Sequence, residues 1–211
     1  INEGTLNEVT ELQTACVEMA EFVAPALPDV TLHGNETIST GSFSFKVIWT
    51  PGHSPGHISL YEPNKKILFS GDHILPTITP HIGLHPNSSS NPLDDYLNSL
   101  NQLNQLDVNL VLPAHGNPFT GLQQRIEEII WHHEQRNSEI LGNITAEPKT
   151  ACQIATKISW MANIGGVSWQ ELSPLDKRAA ITETLAHLEL MRFSGKVDKF
   201  SRDSIIYYQH A

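Results

Sequence analysis

The chain has few cysteines, few basic residues and no apolar run of membrane-spanning length. Its two cysteines, Cys16 and Cys152, lie far apart and form no metal-ligand spacing. We interpret them as reduced, partly buried thiols, which favours a cytoplasmic protein. The longest apolar stretches are strand-sized, whereas about 20 apolar residues are needed to cross a bilayer, so we expect no membrane partner. The composition, 39% hydrophobic and 17% charged, excludes collagen, a coiled coil and wholesale disorder.

The scarcity of basic residues is concentrated in one part of the chain. Residues 1–145 carry 5 Lys and Arg against 16 Asp and Glu, net −11, and residues 146–211 carry 8 against 7, net +1, which together give −10. The difference predicts two domains, 1–145 and 146–211. Because Lys and Arg contacts with phosphate supply most non-specific nucleic-acid affinity, this charge disfavours a general nucleic-acid binder.

Hydrophobic periodicity predicts a mixture of helices and strands in the first domain. The predicted elements are a helix over residues 6–23, strands over residues 43–49, 58–61 and 67–69, a helix over residues 92–106, a strand over residues 108–112 and a helix over residues 122–141. Asn91 is predicted to cap the second helix, since Pro and two acidic residues follow it, and Gly142 to end the third. This alternation is typical of an α/β fold.

The second domain has a different pattern. It predicts helices over residues 151–161 and 174–191, followed by a hairpin of residues 195–197 and 205–208. Helices followed by a small hairpin are typical of a winged helix. Its basic residues are interleaved with acidic ones, whereas specific nucleic-acid binders usually concentrate positive charge on one face. We therefore favour a structural or cleft-covering role, with Trp160, Trp169 and Phe193 in the core.

Three short motifs place metal-capable side chains at strand-to-loop junctions. They are Gly-His-Ser-Pro-Gly-His at residues 52–57, Gly-Asp-His at residues 71–73 and Pro-Ala-His-Gly at residues 113–116. An imidazole or carboxylate held by flanking Gly and Pro turns is a rigidly aimed ligand, which a hydrolytic metal site requires. A single one of these motifs is weak, because a lone His or a Gly-Asp pair is more often a polar turn residue. The three in this order indicate a metal site.

At these motifs the chain resembles the metallo-β-lactamase superfamily, most closely its glyoxalase II-like and β-lactamase-like-2 hydrolases with a C-terminal winged helix. Residues 50–61, 68–72 and 113–116 resemble the third, fourth and fifth metal-binding motifs of that family, and residues 180–190 and 195–197 resemble the appended winged helix. The resemblance implies an α/β fold: the C-terminal part of an αββα sandwich, followed by a small winged-helix-like α+β domain.

The resemblance also implies roles for three residues. His53 is implied to bind a first zinc ion, His115 a second, and Asp72 to bridge both as the catalytic carboxylate. Two metal ions about 4 Å apart can hold a bridging hydroxide and stabilise the oxyanion formed when it attacks an ester. Ser54 and His57 are expected behind these ligands, where they would fix tautomers and loop shape, although a purely structural role is slightly favoured for His57.

One motif of the family does not occur. None of the 11 His residues belongs to an HxHxDH sequence, which supplies the remaining ligands. Together with the absence of an initial Met, this predicts that the chain is the C-terminal portion of a longer hydrolase. Each zinc would keep one His and the shared Asp72, too few for a stable site. We therefore expect an inactive fragment that forms a homo-oligomer or stays associated with an N-terminal fragment.

The long connection of residues 76–90 contains further candidates. His81 and His85, and His73 just before the connection, are candidate residues of the substrate cleft, although plain loop polarity is the favoured explanation for them. For the parent protein we expect a zinc-dependent hydrolase of small esters, thioesters or lactones. A metal-dependent endoribonuclease of the same superfamily and a non-enzymatic winged-helix binding module are the alternatives.

Overall fold

The computed structural model of the chain describes residues 26–160 and 166–211. The helix predicted over residues 6–23 lies outside the described residues, as does Cys16. Within the two described ranges, no helix combines the length and the apolar character needed to cross a membrane.

A five-stranded sheet forms the first part of the described chain, in the order β1-β2-β3-β4-β5. Its strands are β1 (Thr37–Thr40), β2 (Phe43–Trp49), β3 (Ile58–Glu62), β4 (Ile67–Gly71) and β5 (Leu110–Pro113). The first four strands pair antiparallel in sequence order, and β5 pairs parallel to β4. Strands β2, β4 and β5 therefore run in the same direction and end at the same edge of the sheet.

Two helices, α1 (Pro92–Leu103) and α2 (Leu122–Asn143), supply apolar side chains that cover one face of this sheet. Side chains alternate between the faces of a strand, so Tyr61, Leu68 and Val111 point to the same side and share one buried cluster with Leu100 and Ile126. Polar residues of α1 and α2 lie mostly on the helix faces that point away from the sheet, towards solvent. The described sheet is thus one covered layer of a mixed α/β fold.

The C-terminal residues form a second unit. It contains α3 (Ala151–Ala155), a 3₁₀ turn at Trp169–Glu171, α4 (Pro174–Phe193) and the antiparallel hairpin β6 (Val197–Arg202) and β7 (Ile205–His210). This unit has its own apolar cluster, but α4 also contacts α1 and α2. These elements occur in the predicted order of helices and hairpin, while their identity as a winged helix and the boundary near residue 145 stay predictions.

Several predicted details are wrong. Gly142 lies inside α2 rather than after it. Asn91 occupies the predicted N-cap position of α1, but its side chain makes no capping hydrogen bond. Helix α3 ends at Ala155 because the chain turns there and Trp160 bridges to Val167. Other elements differ from the predicted bounds by a few residues at their ends.

Two predictions of burial also fail, one for a core residue and one for a partly buried thiol. Phe193 is 54% exposed and packs under the guanidinium of Arg192, 4.2 Å from its ring centroid, whereas Trp160 and Trp169 belong to the second cluster as expected. Cys152 is exposed rather than partly buried. Both residues lie where the amphipathic pattern of a short or ending helix no longer specifies one face.

Candidate metal-binding cavity

The three predicted metal ligands follow strands that end at the same sheet edge. Asp72 comes directly after β4, His115 follows β5, and His53 follows β2 after a short turn. All three line one cavity of about 900 Å³. The topology therefore gathers side chains that are up to 62 residues apart in sequence, as the numbers 53 and 115 show.

Asp72 and His115 are in contact with each other in the lining of the cavity. Oδ1 of Asp72 lies 3.3 Å from Nε2 of His115, whose side chain is 73% exposed. That oxygen is buried, and within the described residues it accepts no hydrogen bond of normal geometry. A buried carboxylate oxygen without such a partner is costly, so its placement fits a site for a cation.

The His53 ring has a defined proton position. Its Nδ1 lies 3.0 Å from the backbone carbonyl of His81. A carbonyl oxygen only accepts, so Nδ1 carries a proton, and Nε2 is the nitrogen whose lone pair is available for a metal ion in the neutral ring. Histidines that bind metals usually hold their second ring nitrogen in this way.

His57 supports the backbone of Asp72. The Asp72 N–H donates to Nε2 of His57 at 3.2 Å, which leaves Nδ1 protonated and able to donate to Oγ1 of Thr50 at 2.8 Å. Burial, and then the neighbouring His53, lowers the pKa of His57, which favours this neutral ring. Ser54 is exposed and contributes through its backbone, since its carbonyl accepts the His57 N–H at 3.3 Å.

The histidines expected in the cleft have different positions. His81 lines the cavity, but His85 does not; its ring centroid lies 5.9 Å from that of His81. His73 is fully buried and packs against Tyr96, with ring centroids 4.6 Å apart. Burial, followed by the nearby His57 and His53, lowers the His73 pKa to about 3. His73 is therefore part of the interior rather than of the cleft.

The donor set fits zinc in type and orientation but not in number. In residues 26–160 and 166–211, no three His, Cys, Asp or Glu side chains lie close enough together to hold a metal ion. Each ion would keep one His and the shared Asp72, while zinc needs three or four protein ligands. This part of the chain offers an incomplete metal centre.

The far wall of the cavity comes from elements that the motifs did not indicate. Side chains of α2 and of the C-terminal unit line it, among them Trp131, Arg136, Trp160, Leu172 and Glu183. The guanidinium of Arg136 lies 4.6 Å from the Trp160 ring centroid and 3.8 Å from Oε1 of Glu183. No local sequence signal identifies these residues, because their proximity depends on how α4 packs against α2.

Comparison with known proteins agrees with the motifs. The sequence model of the metallo-beta-lactamase superfamily matches residues 3–115, more than half of the 211-residue chain. The chain belongs to the metallo-beta-lactamase superfamily.

Similarity to individual relatives covers more of the chain than residues 3–115. The chain is 31% identical over 196 residues to the "Beta-lactamase-like protein 2 homolog" of Drosophila melanogaster, covering 90% of this chain and 62% of that protein. It is 26% identical over 173 residues to the "Probable metallo-hydrolase YqjP" of Bacillus subtilis, covering 80% of this chain and 51% of that protein. The chain thus spans about half to six-tenths of these relatives.

Two solved structures of metallo-beta-lactamase superfamily proteins share the fold over nearly the whole chain. A metallo-beta-lactamase family protein from Thermus thermophilus superposes with a TM-score of 0.79 at 29% identity, covering 93% of this chain and 59% of that one. A beta-lactamase domain protein from Burkholderia ambifaria superposes with a TM-score of 0.82 at 28% identity, covering 97% of this chain and 58% of that one. The likeness therefore includes the C-terminal unit.

Proposed function

We propose that the chain is part of a zinc-dependent hydrolase that acts on small esters, thioesters or lactones. The observation that supports this most is the convergence of His53, Asp72 and His115 on one cavity, with Nδ1 of His53 held by a backbone carbonyl and an oxygen of Asp72 buried without a hydrogen bond. Imidazole and carboxylate are ligands that zinc accepts in catalytic sites.

The lining of the cavity supports a small substrate with an apolar part. Leu75, Trp131, Trp160 and Leu172 provide apolar surface next to the candidate ligands. Four acidic side chains also line the cavity, against two arginines: Asp72, Glu128, Asp176 and Glu183. Apart from the candidate ligand Asp72, three acidic side chains stand against two arginines, so the lining lacks the concentrated positive charge typical of RNA-binding surfaces and RNA is the less favoured substrate.

The role of the C-terminal unit and the location of the protein belong to the same proposal. Helix α4 forms one wall of the cavity, which supports a winged-helix-like unit with a structural, cleft-covering role. A cytoplasmic location rests on two cysteines without ligand spacing.

Assays of the full-length, zinc-loaded protein test the proposal. Hydrolysis of a thioester, an aryl ester or a lactone is expected, with zinc content confirmed by mass spectrometry. Asp72→Asn or His53→Gln should lower kcat/KM by about 100-fold or more, since even the supporting partners of metal ligands typically contribute about 10- to 100-fold. His33→Gln, an exposed residue outside the cavity lining, is the matched control and should retain activity. Cleavage of single-stranded RNA alone would favour the endoribonuclease, and no zinc with no hydrolysis would favour a binding module.

A further inference from the structure

His81 joins a candidate metal ligand to the C-terminal helix α4. Its backbone carbonyl accepts the hydrogen bond from Nδ1 of His53 at 3.0 Å. Its ring contacts two consecutive residues of α4: Nε2 lies 3.2 Å from Oγ1 of Thr182, and Nδ1 lies 3.5 Å from Oε2 of Glu183. His81 therefore connects the orientation of His53 to a helix that begins at Pro174, 121 residues after His53 in the chain.

The backbone around His81 is docked on the same helix. The N–H of Leu84 donates to the backbone carbonyl of Thr182 at 3.0 Å. A Cβ at Gly83 would lie only 2.6 Å from Nε2 of His81 and 2.9 Å from Oγ1 of Thr182. Glycine permits this close approach, so the loop is held against α4 by both backbone and side-chain contacts.

Glu183 is suited to fix the His81 ring. Its side chain is 19% exposed, and the guanidinium Nε of Arg136 lies 3.8 Å from its second carboxylate oxygen. Burial by itself would raise the pKa of Glu183, but the hydrogen bond with His81 and the charge of Arg136 outweigh burial and hold the pKa below its ordinary value. The carboxylate therefore stays ionised between a histidine and an arginine.

We propose that Thr182 and Glu183 are positioning residues of the metal site: they fix His81, whose carbonyl sets the proton position of His53 and directs its Nε2 into the cavity. The inference rests on the proposed function in that it takes His53 as a metal ligand. It gives the C-terminal unit a part in building the site in addition to covering it.

The double variant Thr182→Val and Glu183→Gln removes the hydroxyl partner of His81 and the carboxylate charge beside it while keeping side-chain size. Supporting partners of metal-binding histidines typically change metal affinity by about 10- to 100-fold, so we expect the zinc dissociation constant of the full-length protein to rise by that factor. The matched control is Thr184→Val with Glu189→Gln on the same helix. The Thr184 hydroxyl donates to Ala180 of its own helix, and Glu189 pairs with Lys199 and Arg192 away from the cavity.

Nitrogen-15 NMR of the histidine side chains in zinc-free, full-length protein provides a readout independent of activity, with His53→Gln identifying the signals. The wild type and the control should show His53 protonated at Nδ1, and the double variant should show a mixture with Nε2 protonated. Unchanged tautomer and zinc affinity in the double variant, or equal losses in the control, would overturn the inference. A wild-type protein that takes up no zinc would disprove the proposed function, and the tautomer spectra would then decide whether α4 orients His53.

Discussion

Gly71 and Gly41 have nearly the same backbone conformation in different surroundings. Their φ angles are 56° and 57°, in the left-handed region that L side chains rarely adopt. A Cβ at Gly71 would lie 2.4 Å from Nε2 of His57, whereas a Cβ at Gly41 would have no atom within 4 Å. The two positions therefore separate backbone strain from loss of the support that His57 gives to Asp72.

Gly71→Ala is expected to destabilise the protein more than Gly41→Ala. The alanine at 41 should cost about 1 kcal/mol of unfolding free energy for its left-handed conformation, and the alanine at 71 roughly 1–3 kcal/mol more, because the His57 ring must move and the Asp72 N–H loses its acceptor. Urea denaturation of both variants measures the difference. Equal losses would mean that the His57 contact contributes nothing to stability.

The sequence indicates which residues carry candidate chemistry better than it indicates what touches them. His53, Asp72 and His115 stand out because each follows a strand and is flanked by Gly or Pro. The hydrogen bond from the Asp72 N–H to His57 joins residues 15 apart in sequence. The contact between Thr182 and the His81 ring joins residues 101 apart. Local patterns contain no information on such contacts, which is also why His73 and His85 could not be distinguished from cavity residues.

At the scale of elements, α2 and α4 pack through buried histidines. Nδ1 of His187 lies 2.7 Å from Oδ1 of Asn137, and its Nε2 lies 3.3 Å from Nδ1 of His133. An amide oxygen accepts, so His187 is protonated at Nδ1 and accepts from His133 at Nε2. Burial is the main cause that lowers the pKa of His133 to about 4 and the pKa of His187 well below its ordinary value.

Acid should weaken this helix interface. Below about pH 6.5 the unfolded chain takes up protons on these imidazoles while the folded chain does not, so stability present at neutral pH is lost as pH falls, by about 1.4 kcal/mol per pH unit for each group. His133→Gln should give a shallower slope of unfolding free energy between pH 6.5 and 4.5, and the exposed His33→Gln the wild-type slope. Parallel curves for His133→Gln and wild type would show that His133 binds its proton equally in both states.

Helix α2 also holds the loop that follows Asp72. Nε of Arg125 donates to the carbonyl of Leu75 at 2.7 Å, and its Nη2 donates to the carbonyl of Ile78 at 3.0 Å. The planar guanidinium reaches both carbonyls at once, which a single ammonium group cannot do in the same geometry. Arg125 thereby fixes the segment that forms one side of the cavity.

Arg125→Lys is expected to loosen this segment. Loss of one or both hydrogen bonds should cost about 1–2 kcal/mol and speed amide hydrogen exchange in residues 75–80. Arg202→Lys is the matched control, because Arg202 lies over aromatic rings of its own hairpin. If amide hydrogen exchange in residues 75–80 is equally fast in Arg125→Lys and Arg202→Lys, other contacts hold the loop.

Elements were predictable where a long periodic pattern met a clear stop. Strand β2 and the hairpin of β3 and β4 agree with their predicted positions to within about two residues. The short strand β1 is not predicted, because its four residues contain a single apolar side chain, Ile38, and so show no clear alternation. Helix ends at Gly142 and after Ala155 were misplaced, since packing against the second cluster decides where those helices stop.

For the whole molecule, the number of ligands limits what the chain can do alone. As ligands, His53, His115 and a shared Asp72 would give each zinc two protein ligands, and the described residues contain no group of three His, Cys, Asp or Glu side chains that could hold a metal ion. We expect metal analysis of the purified 211-residue chain to find less than one zinc per chain after dialysis, and no hydrolysis at an enzymatic rate. Two tightly bound zinc ions in the lone chain would show that this ligand count is wrong.

The two faces of the sheet differ in how they are covered. The face with Tyr61 and Leu68 packs under α1 and α2, but the opposite face exposes aromatic side chains. Phe43 is 39% and Phe69 40% exposed, and the Phe45 ring contacts both, with centroids 5.8 and 5.5 Å away. A contiguous apolar surface of this kind is typical of an interface, because its burial gains about 25 cal/mol per Å².

We therefore predict that the 211-residue chain associates with itself through this face. Phe69→Ser combined with Phe43→Ser should weaken the association at least about tenfold, which corresponds to roughly 1.4 kcal/mol of binding free energy, because each change removes an aromatic ring from the interface. Phe193→Ser removes a ring that is 54% exposed, more than Phe43 or Phe69, from the C-terminal unit and serves as the control. Analytical ultracentrifugation over a range of concentrations measures the dissociation constants. A wild-type chain that stays monomeric at all concentrations would contradict the prediction, and equal weakening by Phe193→Ser would place the interface on the other unit.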